Sequence, residues 1–139
     1  MKVKAIGKER PRMGKNGVVY TPKNTSNYEK IIKQNFKEQN EVVPNEWFEK
    51  NVIASICIGY QIPKSYSKKK KKKLINKGYP HRPDVDNIAK AILDSLNGIA
   101  YKDDAQVTCL TIYKQYSEED CVNVVLTYVD FEEVEVNKW

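Results

Sequence analysis

The sequence predicts an α+β fold: a mixed β-sheet of about four to five strands with two to three helices packed on it. Three observations lead to this class. Residues 50–60 place apolar side chains at every second position, which is the period of a strand. Two other stretches repeat apolar residues at helical spacing. Two further strand-like stretches follow the second of them, and a chain that separates its helices and strands in this way is typical of α+β proteins.

The first third of the chain predicts an edge strand, a short hairpin strand and a helix. Residues 2–7 alternate enough for an edge strand, and Val18–Tyr20 predict a short strand after an Asn-Gly turn. A helix is then expected from a cap at Thr25 or Ser26 to about Gln39. Its apolar positions recur at helical spacing, at Tyr28, Ile31, Ile32 and Phe36.

The middle of the chain predicts the clearest strand and a lysine-rich helix. Within 50–60, one face of the strand consists of Val52, Ala54, Ile56, Ile58 and Tyr60. After Pro63, the stretch Ser65–Lys77 is compatible with a helix because lysine tolerates one, and Gly78 and Pro80 end it. Like charges one turn apart weaken this helix.

The last third predicts a second firm helix and two strands. The helix runs from about Asp86 to Leu96 and is closed by an Asn-Gly pair. Its core-facing stripe consists of Ile88, Ala91, Ile92, Ser95, Leu96 and Ile99. Val107–Tyr116 and Cys121–Val129 predict an antiparallel pair joined by the acidic turn Ser117–Asp120. Residues 130–139 are acidic, and we expect them to be loose.

Composition predicts a soluble protein with one domain, residues 1–139. A chain of 139 residues can bury its own core. No apolar run approaches the roughly 18 residues that span a bilayer, and no signal segment follows the charged N-terminus, so the cytoplasm is the expected location. Cys57, Cys109 and Cys121 are far apart and the chain has one histidine, which argues against zinc. We expect three buried or half-buried thiols.

The positive charge of the chain comes from one run of lysines. The run consists of Lys68, Lys69, Lys70, Lys71, Lys72 and Lys73. The other 18 basic residues balance the 18 acidic ones, so the net charge of +6 is local to this run. Such a patch attracts polyanions through counterion release. A solvated loop without a partner is the alternative, since charge runs are often that.

Aspartates surround the second firm helix. Asp86 and Asp94 lie on the face opposite the core stripe, with Lys90 between them at four-residue spacing. Asp84 stands just before the helix, and Asp103-Asp104 return on a short loop. Clustered carboxylates repel one another, and a divalent cation such as Mg²⁺, which prefers hard oxygen ligands, removes that penalty. The cluster therefore predicts a Mg²⁺ site that activates water at a phosphate, with Lys90 neutralising charge there or orienting the nucleophile.

Each of these residues also has a purely structural use. Asp86 can be a helix N-cap, and Asp84 a turn residue after Pro83. Asp86 and Lys90 can form an ordinary surface ion pair, and Asp103-Asp104 a plain turn. Spacing alone leaves these alternatives open.

Three ordered segments resemble one known family. Arg82–Lys90, then Asp94–Gly98, then Asp103–Val107 closely resemble the RusA family of Holliday junction resolvases, which is common in bacteria and their phages. Gly7–Arg12 is also similar to that family, as are Tyr20-Thr21-Pro22 and Tyr28-Glu29. The resemblance covers most of the chain, although the lysine run lies where sequences of the family vary.

The resemblance implies an endonuclease that depends on Mg²⁺, with Mn²⁺ as a possible substitute, and nicks four-way DNA junctions symmetrically as a homodimer in recombination and repair. By position, the catalytic and metal-binding aspartates fall on Asp84, Asp86 and Asp104, and the catalytic lysine on Lys90. Asp103 is the second choice for the role given to Asp104. For Asp94, the resemblance does not decide between supporting the metal ligands and packing of the helix. A two-fold dimer suits the near two-fold symmetry of a four-way junction.

Several basic residues are predicted to contact DNA phosphates. Besides the lysine run, they are Arg10, Arg12, Lys15 and Arg82, for each of which solvated charge is the alternative. Two rival functions remain at this stage. One is a non-catalytic basic DNA-binding module, and the other is a nuclease of the same chemistry that acts on other branched or flap DNA, or on RNA.

Overall fold

Five strands and three α-helices make up the regular part of the structure, a computed structural model that describes residues 1–77 and 79–130. In chain order they are β1 (Arg12–Met13), β2 (Val19–Tyr20), α1 (Lys23–Gln39), β3 (Asn51–Gln61), α2 (Lys68–Lys77), α3 (Val85–Ser95), β4 (Val107–Ser117) and β5 (Cys121–Val129). A 3-10 turn at Asp104–Gln106 precedes β4. The predicted α+β class is confirmed, with the five strands divided between two sheets.

The larger sheet has three strands in the order β4-β3-β5 and is mixed, as predicted. Strand β4 is parallel to β3, and β5 is antiparallel to it, so that Ala54 pairs with Leu110 on one side and Leu126 on the other. The predicted antiparallel pairing of the last two strands with each other is therefore wrong. The apolar strand β3 lies between them and satisfies its backbone on both edges, and a parallel β3–β4 pair needs the long crossover that α2 and α3 supply.

Gly59 marks where the chain passes from β4 to β5 over the end of β3. A Cβ atom on Gly59 would clash with the Ser117 hydroxyl and lie 2.6 Å from Cys121 Sγ. Asp120 fastens this connection, because its carboxylate accepts a hydrogen bond of 2.9 Å from the Gln61 backbone N–H. The absence of a side chain at Gly59 thus lets three residues bridge from one edge of the sheet to the other.

The N-terminal segment is extended but is not a strand of either sheet, so the predicted edge strand at residues 2–7 is wrong. Met1 exchanges hydrogen bonds with the backbone of Val122. The carbonyl of Ala5 accepts a hydrogen bond from the hydroxyl of buried Tyr60, and the Lys8 N–H donates to the carbonyl of Asn87 in α3. The backbone of the segment is satisfied by a side chain and a helix rather than by a neighbouring strand.

The core lies between one face of the larger sheet and helices α1 and α3. The predicted face of β3 is fully confirmed, since all five of its residues are buried. The predicted stripe of α3 is buried from Ile88 to Leu96, with Ile99 half-buried at its end. Val124, Leu126 and Tyr128 of β5 pack against the same core.

Helix starts differ from the predictions by one to four residues. Helix α1 begins at Lys23 after Pro22, because Thr25 is buried and its hydroxyl faces the Glu9 N–H instead of capping. Helix α2 begins at Lys68, where the Ser67 hydroxyl accepts a hydrogen bond from the Lys70 N–H. Helix α3 begins one residue earlier than predicted.

The remaining expectations concern the thiols and the chain end. All three cysteines are free, and Cys57 and Cys121 are half-buried as expected, but Cys109 is exposed because it lies on the open face of the sheet. In the part of the chain that the structure describes, no helix has the length and apolarity that crossing a membrane requires. The expectation for the acidic terminus concerns residues 131–139, which lie outside the described residues.

Candidate active site

Helix α3 begins at the predicted acidic motif. Asp84 occupies the N-cap position in an extended conformation, but its side chain makes no capping hydrogen bond. Instead, both oxygens of its carboxylate accept from Nη1 of Arg82, at 3.2 and 3.3 Å. Asp86 and Lys90 are exposed on the outer face of the helix, and the ion pairs found within residues 79–130 do not join them. The cap and surface-pair alternatives for Asp86 are therefore not what the structure contains.

Two packing contacts hold the entry to α3 in place. Nζ of Lys114 on β4 donates hydrogen bonds to the carbonyls of His81 and Pro83, at 2.7 and 2.5 Å. On the other side, a Cβ atom on Gly7 would lie 3.2 Å from Pro83 and 3.3 Å from Asn87, so the N-terminal segment passes close to this entry. Beside it, an open cleft of about 770 Å³ is lined by Asp84, Asn87, His81 and Tyr116, among others.

The chain after α3 turns back and brings Asp104 to the helix. Gly98 has a φ of 79°, a conformation that glycine adopts without strain, and its N–H donates to the carbonyl of Tyr101 at 2.8 Å. Tyr101 is fully buried, and its hydroxyl donates to the carbonyl of Leu93 at 2.6 Å. This anchored loop places the carboxyl of Asp104 beside the carboxyl of Asp94 on α3, close enough for each group to shift the pKa of the other.

The neighbours Asp103 and Asp104 have different roles in this loop. The Asp103 carboxylate accepts a hydrogen bond of 2.8 Å from the Ala105 N–H, and Gln106 accepts one of 2.9 Å from the Asp103 N–H, which together form a capping box. The carboxyl of Asp104 makes no such backbone contact, and it faces Asp94. This division favours Asp104 over Asp103 as the residue available for chemistry.

The electrostatics of the Asp94–Asp104 pair are unequal. The hydrogen bond to Asp94, together with burial and the nearby Asp103, raises the pKa of Asp104 to about 7. Burial acts against ionisation of Asp94 as well, but its hydrogen bond with Asp104 and the charge of Lys8 hold its pKa below the ordinary value. Burial, with the charges of Asp104 and Asp94 nearby, raises the pKa of Tyr101, which therefore remains a hydrogen-bond donor. Within the pair, Asp104 is thus the carboxyl that holds a proton more readily and Asp94 the one that ionises more readily.

Lys8 compensates Asp94 from the opposite side. Its Nζ contacts Oδ2 of Asp94 and lies 3.6 Å from Oε1 of Glu29. The side chains of Lys8, Asp94 and Glu29 are 21%, 19% and 26% exposed, so this network is shielded more than a surface ion pair. Burial opposes the charge of Lys8, yet its two acidic partners raise its pKa, which keeps it protonated.

The structure does not bring the three predicted aspartates into one cluster. Asp104 pairs with Asp94, which lies eight residues beyond Asp86, or roughly 12 Å along the helix axis. Across residues 1–77 and 79–130, no group of three or more histidine, cysteine or acidic side chains is positioned to hold a metal ion together. The acidic residues instead form two pairs along α3. Asp84 and Asp86 lie at its start, and Asp94 and Asp104 lie near its end.

The chemistry of the donors nevertheless fits a hard divalent cation. Two adjacent carboxyl groups repel each other when both are ionised, which raises the pKa of Asp104, and a cation would remove that electrostatic cost. Mg²⁺ is often bound through only one or two protein carboxylates, with waters and substrate phosphate completing its shell. Asp104 therefore fits such an ion without a closed protein cage.

The predicted DNA-contacting residues lie on two exposed elements and at the α3 entry. Arg10, Arg12 and Lys15 are exposed in or beside the β1–β2 hairpin, where Arg12 is 3.4 Å from Glu9. Arg82 is exposed but engaged with Asp84. The lysine run forms the first six residues of α2, where Lys70 lies over the ring of Tyr66 and Lys71 is half-buried.

Sequence reasoning missed Lys8, Glu29 and Lys114. Lys114 had a detectable signal, because it occupies a core-facing position of its strand, where the neighbouring Ile112 and Tyr116 pack against the core. Lys8 and Glu29 were noted only as parts of similar segments. Lys8 contacts Asp94, 86 residues away, and pairs with Glu29, 21 residues away, and no local pattern reveals either contact.

Comparison with known proteins identifies the family. The sequence profile described as "Endodeoxyribonuclease RusA" matches residues 2–127. The chain belongs to the RusA family. It is also 47% identical over 72 residues to the "Uncharacterized protein YqaN" of Bacillus subtilis (strain 168), a match covering 49% of this chain and 51% of that protein. The chain thus spans about half the length of this curated relative. The RusA match includes α3, Asp94 and the Asp104 loop, so the acidic pair lies within the family's domain.

Proposed function

We propose that this chain is a Mg²⁺-dependent endonuclease that resolves four-way DNA junctions by symmetric nicking, acting as a homodimer in recombination and repair in the cytoplasm. One observation carries the chemical part of the proposal. Asp104 is held against Asp94 beside α3, with its pKa raised to about 7 and with no basic partner among the described residues. RusA family membership supports DNA as the substrate.

In α3 and the segments next to it, different residues would bind the metal and contact the phosphate. Asp84 and Asp86 provide carboxylates for metal ions at the start of α3, Asp104 provides one near its end, and the exposed Lys90 between them faces the scissile phosphate. A bound divalent cation would lower the pKa of water and stabilise charge on the phosphate and the leaving oxygen. Because the two acidic pairs are separated along α3, we expect the DNA backbone to lie along the outer face of this helix, over Lys90.

The basic residues give the proposal its DNA-binding surface. Six consecutive lysines in a helix point in all directions around its axis, so only about half of them can face one duplex. Lys71 faces the protein, which leaves its exposed neighbours for phosphates. The hairpin residues Arg10, Arg12 and Lys15 are exposed and can contact a second part of a branched substrate.

The open face of the larger sheet supports the proposed homodimer. This face lies opposite the core, and the paired rows on it contain Cys109, Ile53, Thr127, Thr111, Ser55, Val125, Tyr113, Cys57 and Asn123. None of these nine residues is charged, although charged residues make up 30% of the chain. Tyr113 and Val125 are 52% and 62% exposed. Two copies of a cationic chain repel each other least where they meet at an uncharged face.

Sedimentation equilibrium tests this interface. Tyr113→Lys and Val125→Lys should each convert a dimer to a monomer, since two-fold symmetry places every introduced charge twice in one interface. Tyr79→Lys is the matched control, because Tyr79 is 73% exposed and lies outside the sheet. A monomeric wild-type protein, or a dimer that survives both sheet variants, would reject this assignment.

The decisive experiment is cleavage of a labelled four-way junction. Wild-type protein and Asp84→Asn, Asp86→Asn, Asp104→Asn and Asp103→Asn variants are incubated with the junction and a matched duplex, in Mg²⁺ or EDTA. We expect paired symmetric nicks in Mg²⁺ alone, loss of cleavage in the first three variants, and a smaller effect of Asp103→Asn. Binding to the junction should persist in all of them, because phosphate contacts remain.

The possible results separate the rival functions. Binding without cleavage in any divalent metal would favour a basic DNA-binding module. Faster cleavage of flaps, other branched DNA or RNA than of the four-way junction would retain the chemistry but change the substrate. Near wild-type cleavage by one aspartate variant would remove that residue from the ligand set.

A further inference from the structure

The Lys8–Asp94 contact connects the N-terminal segment to the end of α3 that carries Asp104. Lys8 is held at both its backbone and its side chain. Its N–H donates to the carbonyl of Asn87 at 3.2 Å, and its Nζ contacts Asp94 and lies 3.6 Å from Glu29. Gly7, next to it, passes too close to Asn87 for a larger side chain to fit without displacement. The ammonium group of Lys8 therefore occupies a defined position behind Asp94.

This contact makes the two carboxyl groups of the pair unequal. Asp94 has an ion-pair partner in Lys8 and also experiences the charge of Lys90. Within residues 1–77 and 79–130, Asp104 forms no ion pair, and its acidic neighbours Asp94 and Asp103 are the groups that act on it. A divalent cation arriving at the pair therefore gains more from Asp104 than from Asp94, whose charge is already compensated.

We propose that Lys8 and Asp94 are positioning residues for Asp104: Lys8 holds and neutralises Asp94, and Asp94 holds the Asp104 carboxyl at α3 for metal binding. This inference rests on the proposed function, because it assigns the supporting groups of the same site. Such supporting contacts orient a ligand and tune its affinity, and their loss commonly costs 10- to 100-fold in metal affinity or activity.

The charges of the two residues predict effects of opposite sign on metal binding. Lys8→Met removes a positive charge near the site, so Mn²⁺ should bind about 3- to 10-fold more tightly. Asp94→Asn keeps a hydrogen-bonding partner for Asp104 but removes a negative charge beside it and leaves Lys8 with Glu29 as its acidic partner, so Mn²⁺ should bind about 3- to 10-fold more weakly. Cleavage at saturating Mg²⁺ should fall at least about tenfold in both, because each variant removes the Lys8–Asp94 ion pair that fixes the position of residue 94 beside Asp104.

The experiment measures Mn²⁺ affinity by electron paramagnetic resonance, single-turnover cleavage of a four-way junction in saturating Mg²⁺, and junction binding in EDTA. Lys8→Arg should restore most of the cleavage lost in Lys8→Met. Lys2→Met is the matched control, since Lys2 forms an exposed ion pair with Glu119 at 3.7 Å, and it should change none of the three measurements. The Lys8→Met/Asp94→Asn double variant should return towards the wild-type Mn²⁺ affinity.

Several results would overturn the inference. Weaker Mn²⁺ binding in Lys8→Met, or no recovery in the double variant, would show that charge compensation is not the role of Lys8. Weaker junction binding in EDTA with a normal single-turnover rate at saturating DNA would make Lys8 a phosphate contact. If Lys8→Met does not fold, Lys8→Arg and Asp94→Asn carry the same test. A wild-type protein that binds Mn²⁺ but cleaves no junction would refute the proposed function, while the Mn²⁺ measurements would still decide the roles of Lys8 and Asp94.

Discussion

Asp104→Asn should make the metal-free protein more stable at pH 8 than the wild type. The pKa of Asp104 is about 7 in the folded protein, against 3.8 ordinarily, so the folded state retains a proton that the unfolded chain releases. Between these two values, stability therefore falls as the pH rises, and above pH 7 the whole cost is present. Asparagine donates a hydrogen bond to Asp94 at every pH and carries no charge.

The expected magnitude follows from the shift. About three pKa units would correspond to roughly 4 kcal/mol at 1.36 kcal/mol per unit. Solvent screening at this largely accessible group, and the opposing shift of Asp94, reduce this to about 1–2 kcal/mol. For a chain of 139 residues, that corresponds to a rise in Tm of about 3–7 °C at pH 8, shrinking towards zero at pH 4.

Thermal unfolding followed by circular dichroism, in EDTA at pH 4, 6 and 8, measures this difference. Asp103→Asn is the control, because Asp103 caps the 3-10 turn and its replacement should give no gain at pH 8. Adding Mg²⁺ at pH 8 should raise the Tm of the wild type and not that of Asp104→Asn. An Asp104→Asn variant that is less stable than the wild type at pH 8 would refute the raised pKa of Asp104 and the electrostatic reasoning built on it.

Three further outcomes test other parts of the molecule. Lys90→Ala should lower junction cleavage at least about tenfold without lowering Tm, because Lys90 is exposed, whereas normal cleavage with a lower Tm would give it a structural role. Replacing Lys68–Lys73 with glutamine should flatten the slope of log affinity against log salt by roughly 3, if half of the six lysines contact phosphates. An unchanged slope would show that the run does not contact DNA. Gly59→Ala should lower the free energy of unfolding by about 1–3 kcal/mol, because the added methyl group clashes with Ser117 and Cys121. Denaturant titration measures this change, and no change would mean that the β4–β5 connection shifts at no cost.

Local patterns in the sequence determined most of the secondary structure. The two-residue period of β3 and the helical stripe of α3 were predicted residue by residue, because burial of one face imposes a period that the chain itself displays. The same holds for Gly98, which ends the α3 region with a positive φ. Helix starts were predicted less closely, since the hydroxyl of Thr25 faces the Glu9 N–H instead of capping α1, whereas Ser67, two residues beyond the predicted start, caps α2.

Strand pairing depended on the tertiary structure. The alternation in β4 and β5 indicates two strands but not their partners, because strands pair through backbone groups that are the same whatever the side chain. Adjacent strands joined by a short turn usually pair with each other. Here β3 lies between them, which is possible because Gly59 leaves room for the connection to cross.

The acidic motif likewise came from the sequence, but its grouping did not. The spacing of Asp84, Asp86 and Lys90 placed them at the start and on the outer face of one helix, because three or four residues make one helical turn. The spacing could not assign Asp94 a contact, and it was the family resemblance that favoured Asp104 over Asp103. The anchored loop at Tyr101 decided that Asp104 meets Asp94, and folding of the N-terminal segment onto α3 decided that Lys8 stands behind them. Contacts between groups so far apart in the chain arise only when the core brings their elements together. Local spacing therefore determined which acidic residues lie along α3, and tertiary packing determined which of them face each other.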